Sequence, residues 1–224
     1  MKKIVTLALV LVMVAMTACA SAATVGICQL VQHDALDAAT KGFKDALIAE
    51  FGDNVTFIDG NAAGDSNNLN TIIQDFVSKK VDLILANATP VLQTAATATS
   101  VIPILGTSVT EYGVALQMDD FNGLVGGNVS GTSDLAPLDK QAQMILDWCP
   151  NAKNVGLLYC SAEANSAYQV NKVKEYLEGK GITCTEYSFS TTSDLSAVAE
   201  KAASESDAIY VPTDNTVANS AQLV

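Results

Sequence analysis

The sequence predicts an α/β protein of two lobes, each a parallel sheet flanked by helices. Three observations carry this. Short apolar runs alternate with amphipathic stretches at the spacing of βα units. A glycine- and turn-rich segment, residues 111–137, interrupts the alternation and has no helical period. The pattern before the break then recurs after it. Val25-Gly26-Ile27 matches Val155-Gly156-Leu157 at an offset of 130 positions, and Asp82-Leu83-Ile84 matches Asp207-Ala208-Ile209 at an offset of 125.

Each element has a local reason. TVGICQLV (24–31) is a short apolar run and predicts a buried strand. Residues 35–51 place Leu36, Ala39, Phe43, Leu47 and Phe51 near one face of a helix. NVTFID is the second strand. Residues 64–80 offer Asp65 or Ser66 as an N-cap before Leu69, Ile72, Ile73 and Phe76 at helical spacing. VDLILAN is a strand, PVLQTAATAT a short helix with Pro90 in its first turn, and VIPILGTS a strand. Residues 111–137 read as a hinge or crossover. The second lobe then alternates helix 138–148, strand NVGLLYC, helix 165–179, strand ITCTEYSF, helix 193–204 and strand DAIYVP. The expected division is a leader over 1–22, a first lobe over 24–110, the hinge, and a second lobe over 138–224.

The leader is read from three features. MKK is a basic start, IVTLALVLVMVAM is apolar throughout, and small residues follow. The apolar run is too short for a comfortable membrane span. Two cleavage patterns compete: Met16–Cys19 as a bacterial lipobox that would make Cys19 the lipidated first residue, and Ala20-Ser21-Ala22 as an ordinary secretion site. Both export the chain.

Composition narrows the partners. The chain carries 24 acidic and 12 basic residues, a net charge of −12, and every basic residue is a lysine. An acidic chain without arginine is a poor match for nucleic acid. It also lacks the bidentate fork for a carboxylate or phosphate, so an anion would be held by backbone N–H groups, helix N-termini, hydroxyls or lysine. His33 is the sole histidine, which leaves little for a Ser-His or Cys-His hydrolase. GLVGGNVSG lacks the dinucleotide-binding spacing, no P-loop exists, and no HExxH or CxxC pair is present. No catalytic residue, metal or cofactor is predicted. Of the cysteines after the leader, three sit in or beside apolar runs and read as buried thiols. Trp148 reads as a packing residue.

In open parallel sheets, ligands bind beyond the carboxyl ends of the strands. Here those loops are QHDA, NATP, GTSVTE, SAEANS and PTDN. The repeat puts His33 and Glu163, and likewise Thr89 and Asp214, at equivalent positions of the two lobes. A cleft with such walls suits a small zwitterion or polyol.

HDALDAATKGFKDAL, NATPVLQTA, PILGTSVT, GGNVSGTSD, VGLLYCSAEANSAYQV and DAIYVPTDN together resemble the ABC-transporter substrate-binding proteins of the tryptophan/tyrosine type. The likeness runs from about residue 24 to 224. It implies a type I periplasmic-binding-protein-like fold, export, a membrane permease as partner, and a small ligand, an aromatic or apolar L-amino acid, closed between the lobes of a monomer. It implies that Thr89, with His33 nearby, holds ligand from the first lobe. Ser133 and Asp134 would stand at the entry to the second lobe, and Glu163, Asn165, Ser166, Asp214 and Asn215 would form its wall. Asp214, Glu163 and Asp134 are suited to an ammonium, and Thr89 at a helix start to a carboxylate. Asn215 and Ser166 have a second reading, as helix caps. Family members continue past PTDN, so the second lobe is expected to be incomplete.

Two other functions remain open at this stage. One is a sensor that presents its bound state to a membrane receptor, and the other is capture of a sugar or nucleoside. An enzyme on a related scaffold is disfavoured by the missing nucleophile–base pairs.

Overall fold

A computed structural model describes residues 22–224. Residues 1–21, which hold Cys19 and all but the last position of the expected leader, lie outside the described residues. The first lobe runs β1 (Ala23–Gln29), α1 (Asp34–Phe51), β2 (Val55–Asn61), α2 (Ser66–Lys79), β3 (Leu83–Asn87), α3 (Thr89–Ala98), β4 (Ile104–Val109), α4 (Tyr112–Ala115) and β5 (Val129–Ser133). The second runs α5 (Leu138–Trp148), β6 (Asn154–Cys160), α6 (Ala164–Glu178), β7 (Thr183–Phe189), α7 (Thr192–Glu205), β8 (Ala208–Tyr210) and α8 (Asn215–Asn219).

Both sheets are parallel. The first is ordered β2-β1-β3-β4-β5 and the second β7-β6-β8. The internal repeat is present in the register. Val25 pairs with Leu83 and Gly26 with Ile84, and at the matching positions Val155 pairs with Ala208 and Gly156 with Ile209. One side chain per lobe ties this register at its start. Asp82 accepts the Thr24 N–H at 2.7 Å, and Asp207 accepts those of Lys153 and Asn154 at 2.8 and 2.9 Å.

The central strands β1, β3 and β6 are apolar because both faces are covered. On β1, Val25 and Ile27 pack with Phe43 and Leu47 of α1, and Cys28 packs in the cluster of Ile73 and Phe76. On β6, Val155 and Leu157 face Val170 and Val173 of α6, and Leu158 and Cys160 face Leu195 and Ala199 of α7.

Residues 111–137 do more than link the lobes. They hold α4 and add β5 as the fifth strand of the first sheet, beside β4. The reason is chemical. Tyr112 is buried, and its hydroxyl donates to the Gly106 carbonyl at 3.0 Å, anchoring the loop across the sheet. Gly131, at φ 156°, comes so close to Gly106 that a Cβ would meet its carbonyl oxygen at 2.2 Å. A five-residue strand with four exposed positions, this glycine among them, carries no apolar alternation for sequence to show. Trp148 is also unlike its expectation, being 76% exposed at the end of α5.

Candidate ligand-binding cleft

The carboxyl ends of β1, β2 and β3 in the first lobe and of β6, β7 and β8 in the second face one cavity of about 360 Å³, which the expected loop after β4 does not line. Leu30 and Val31 follow β1, Ala63 to Ser66 follow β2, and Pro90 follows β3. Opposite them are Ala162 and Glu163 after β6, Ser190 to Thr192 after β7, and Thr216 and Asn219 on α8. The charged residues that line the cavity, Asp65 from the first lobe and Glu163 from the second, are both acids. The loops after β2 and β7 were missed by sequence reading. Their signal was available, since each is a short polar turn after an apolar strand.

Glu163 is 3% exposed and stands at the N-cap position of α6. It does not cap its own helix. One carboxylate oxygen accepts the Asn215 N–H at 3.1 Å and the Asn215 side-chain amide at 2.6 Å. The other accepts the Thr216 N–H at 2.9 Å and its hydroxyl at 2.8 Å. Asp214 is equally buried. Its oxygens accept the Val217 N–H at 2.9 Å and the Cys160 N–H at 2.7 Å. It therefore caps α8 and pins the end of β6 to it. The cap of α8 is Asp214, so the alternative reading of Asn215 as a cap does not hold. Burial, with the Glu163 carboxylate nearby, pushes the Asp214 carboxyl above the usual carboxylate range. Among the described residues no lysine pairs with either acid.

Asn165 and Ser166, both buried, start α6 in the same cluster. Asn165 donates to the Thr213 carbonyl at 2.9 Å, and its Oδ1 is buried without a hydrogen-bond partner. Gln169 is a member that sequence reading missed. It donates to the Asn165 and Thr213 carbonyls and accepts the Thr213 N–H. One turn along α6 from Asn165, it had no loop position to mark it.

In the first lobe, Thr89 opens α3 beside the lining residue Pro90. It is 1% exposed and its Oγ1 has no hydrogen-bond partner. The preceding Ala88 holds φ 106°, a costly conformation for a residue with a Cβ. His33 stands at the N-cap position of α1, and its Nε2 lies 3.3 Å from Asn215 Oδ1 of the other lobe.

Seven of the expected residues thus gather at the cleft or directly behind its wall. Ser133 and Asp134 do not line it. Both are exposed at the end of β5, where the Ser133 hydroxyl donates to the Thr110 carbonyl at 2.7 Å and Asp134 N–H donates to Val109. The Ser133 side chain and the Asp134 backbone thus fasten the crossover between lobes to the end of β4.

The comparisons with known proteins agree with this architecture. The family model for ABC transporter substrate binding proteins matches residues 24–224. The chain is 38% identical over 206 residues to a tyrosine-binding protein of Clostridioides difficile (strain R20291), covering 89% of this chain and 59% of that one. The chain thus spans about three-fifths of the length of that curated relative. A crystal structure from Streptococcus pneumonia, in complex with L-Trp, shares 35% identity, covers 91% of this chain and 70% of its own, and superposes with a TM-score of 0.84. The ligand-free, open structure of a substrate-binding protein with adhesive properties from Clostridium difficile shares 38% identity, covers 90% and 69%, and has a TM-score of 0.58. The shape of this chain thus follows the L-Trp complex, although identity is higher to the open structure. With its type I periplasmic-binding-protein-like lobes and strand-end cleft, the chain belongs to the family of ABC transporter substrate-binding proteins.

Proposed function

We propose that the chain captures a free L-amino acid, aromatic or large and apolar, between its lobes for delivery to a membrane permease, and performs no chemistry on it. The observation that carries this is the pair of buried acids, Glu163 and Asp214, without a basic partner at a cleft whose charged lining is acidic throughout. Two desolvated carboxylates lower the potential where an α-ammonium would sit. The α-carboxylate has the first turn of α3, where the Thr89 hydroxyl lacks a partner. Leu30, Val31 and Leu69 supply apolar wall for the side chain. A cavity of this size holds one amino acid rather than a peptide. The relatives named for tyrosine and seen with L-Trp point the same way.

The test is calorimetry of the chain, and of a version extended to its relatives' length, against amino acids, sugars and a dicarboxylate. L-tyrosine or L-tryptophan is expected to bind. Glu163→Gln should weaken that binding roughly ten- to a hundredfold, the worth of a charge-assisted contact. Tight binding of a sugar or a dicarboxylate would overturn the assignment.

Export and anchoring belong to the same proposal. Cys19, after the Met16–Cys19 lipobox, is the lipid-anchored first residue of the mature chain, held at the cell surface or in the periplasm. Cys19→Ser should move the protein from the membrane to the soluble fraction. Unchanged membrane association would favour cleavage after Ala22.

A further inference from the structure

We infer that His33 is a positioning residue that latches the two lobes together by donating from Nε2 to Asn215, and so couples closure to the acid on the cleft wall. The argument begins at Asn215, which is 7% exposed. Its side-chain nitrogen donates to the Glu163 carboxylate at 2.6 Å. A carboxylate so placed only accepts, so the amide orientation is assigned by that bond, and Asn215 Oδ1 is left as an acceptor. His33 Nε2 lies 3.3 Å from that oxygen. The ring nitrogen facing an acceptor must carry the proton, so His33 donates.

The contact has a particular place in the fold. Among the described residues it is the one side-chain hydrogen bond that joins the first lobe to the second, linking residues 182 positions apart. Both ends are fixed by helix starts. His33 sits at the N-cap position of the 18-residue α1, where its carbonyl accepts the Asp37 N–H at 3.0 Å. Asn215 opens α8 directly after its cap, Asp214. A donor in one rigid element thus meets an acceptor in another only when the lobes are closed. The acceptor is aimed by Glu163, which lines the cleft. Charge placed against Glu163 bears on the Asn215 amide, and through it on the latch. This last step rests on the proposed ammonium site. The latch itself does not.

The experiment measures closure and dissociation separately. One fluorophore per lobe, placed by unnatural-amino-acid incorporation, reports the closed-to-open ratio of the chain, ligand-free and with saturating L-tyrosine. Stopped-flow displacement reports the L-tyrosine dissociation rate. His33→Ala should lower the closed-to-open ratio and raise the dissociation rate, each about two- to tenfold, the range for one hydrogen bond. His33→Gln, which keeps a side-chain N–H donor, should recover most of both, while His33→Phe should not. In a double-mutant cycle, His33→Ala should have no further effect on closure in an Asn215→Ala background. Equal closure and dissociation in wild type and His33→Ala would overturn the latch, as would a wild-type chain with no closed population. If no amino acid binds but His33→Ala still opens the ligand-free chain, the proposed function falls and the latch stands.

Discussion

The Asp214 carboxylate accepts one N–H from the first turn of α8 and another from the last residue of β6. Removing it leaves two donors without this partner, and the Cys160 N–H is buried among apolar side chains. Asp214→Ala should therefore destabilise the chain by about 1–3 kcal/mol, the combined range for a lost N-cap and a stranded buried donor, measured by urea unfolding. Relief of a desolvated acid offsets part of that loss, because the carboxyl is held above its usual range. Unchanged stability would mean that the cap is replaced by water. The thiols make a second case. Burial raises Cys28 to about 12, so at pH 8 its thiolate fraction is on the order of 10⁻⁴. Iodoacetamide at pH 8 followed by mass spectrometry should label the half-exposed Cys149 and leave Cys28 unmodified in the folded chain.

At the scale of elements, the central strands are built around close approach. A Cβ on Gly26 of β1 would stand 2.6 Å from the Phe76 ring, itself 1% exposed. Gly26→Ala should cost about 1–3 kcal/mol through overpacking, read as a lower urea midpoint with an unchanged m-value. Helix starts follow sequence rules where the cap is local. Asp65 accepts the Asn67 and Asn68 N–H groups at 2.8 and 2.9 Å, as its position before α2 predicts. They depart where the partner is distant, as with Glu163, which serves α8 from the start of α6. The His33–Glu163 equivalence in the repeat is borne out as position, since both residues occupy N-cap positions. It conceals a difference in role that only the facing lobe creates.

The molecule as a whole is asymmetric about its repeat. In the first sheet β3 is flanked on both sides, by β1 and β4. In the second, β8 has three residues and pairs with β6 alone. Unpaired backbone at an edge opens readily. Amide hydrogen exchange should be faster at Ile209 and Tyr210 than at the equivalent Ile84 and Leu85, and equal protection would count against this. The protonation of the fold is one-sided at high pH. Cys28, Tyr112 and Tyr210 are each raised to about 12 and Cys184 to about 11, all chiefly by burial. Each keeps its proton in the folded chain after the unfolded chain has lost it, so stability falls as pH rises. The window opens near the ordinary thiol value, about 8.5, and extends to about 12. Thermal melts at pH 7 and pH 10 should show a lower Tm at pH 10, and a flat profile would mean that these groups ionise without unfolding.

The sequence by itself determined the α/β class, the two lobes, the order of nearly every element and the repeat between the lobes. These depend on local periodicity, and buried parallel strands advertise themselves as apolar runs such as Leu83–Asn87. It also located the strand-end loops that hold Glu163, Asn165, Asp214 and Asn215, because the carboxyl edge of a parallel sheet is defined by chain direction alone. Tertiary structure decided what those side chains do. It brought Glu163 to Asn215 and Thr216 and turned Asp214 to Cys160, 54 residues away. It placed Ser133 and Asp134 outside the cleft wall and made a strand of 129–133. A side chain's partner in three dimensions comes from elements far apart in the chain, and no periodicity in the residues around it encodes which element will face it.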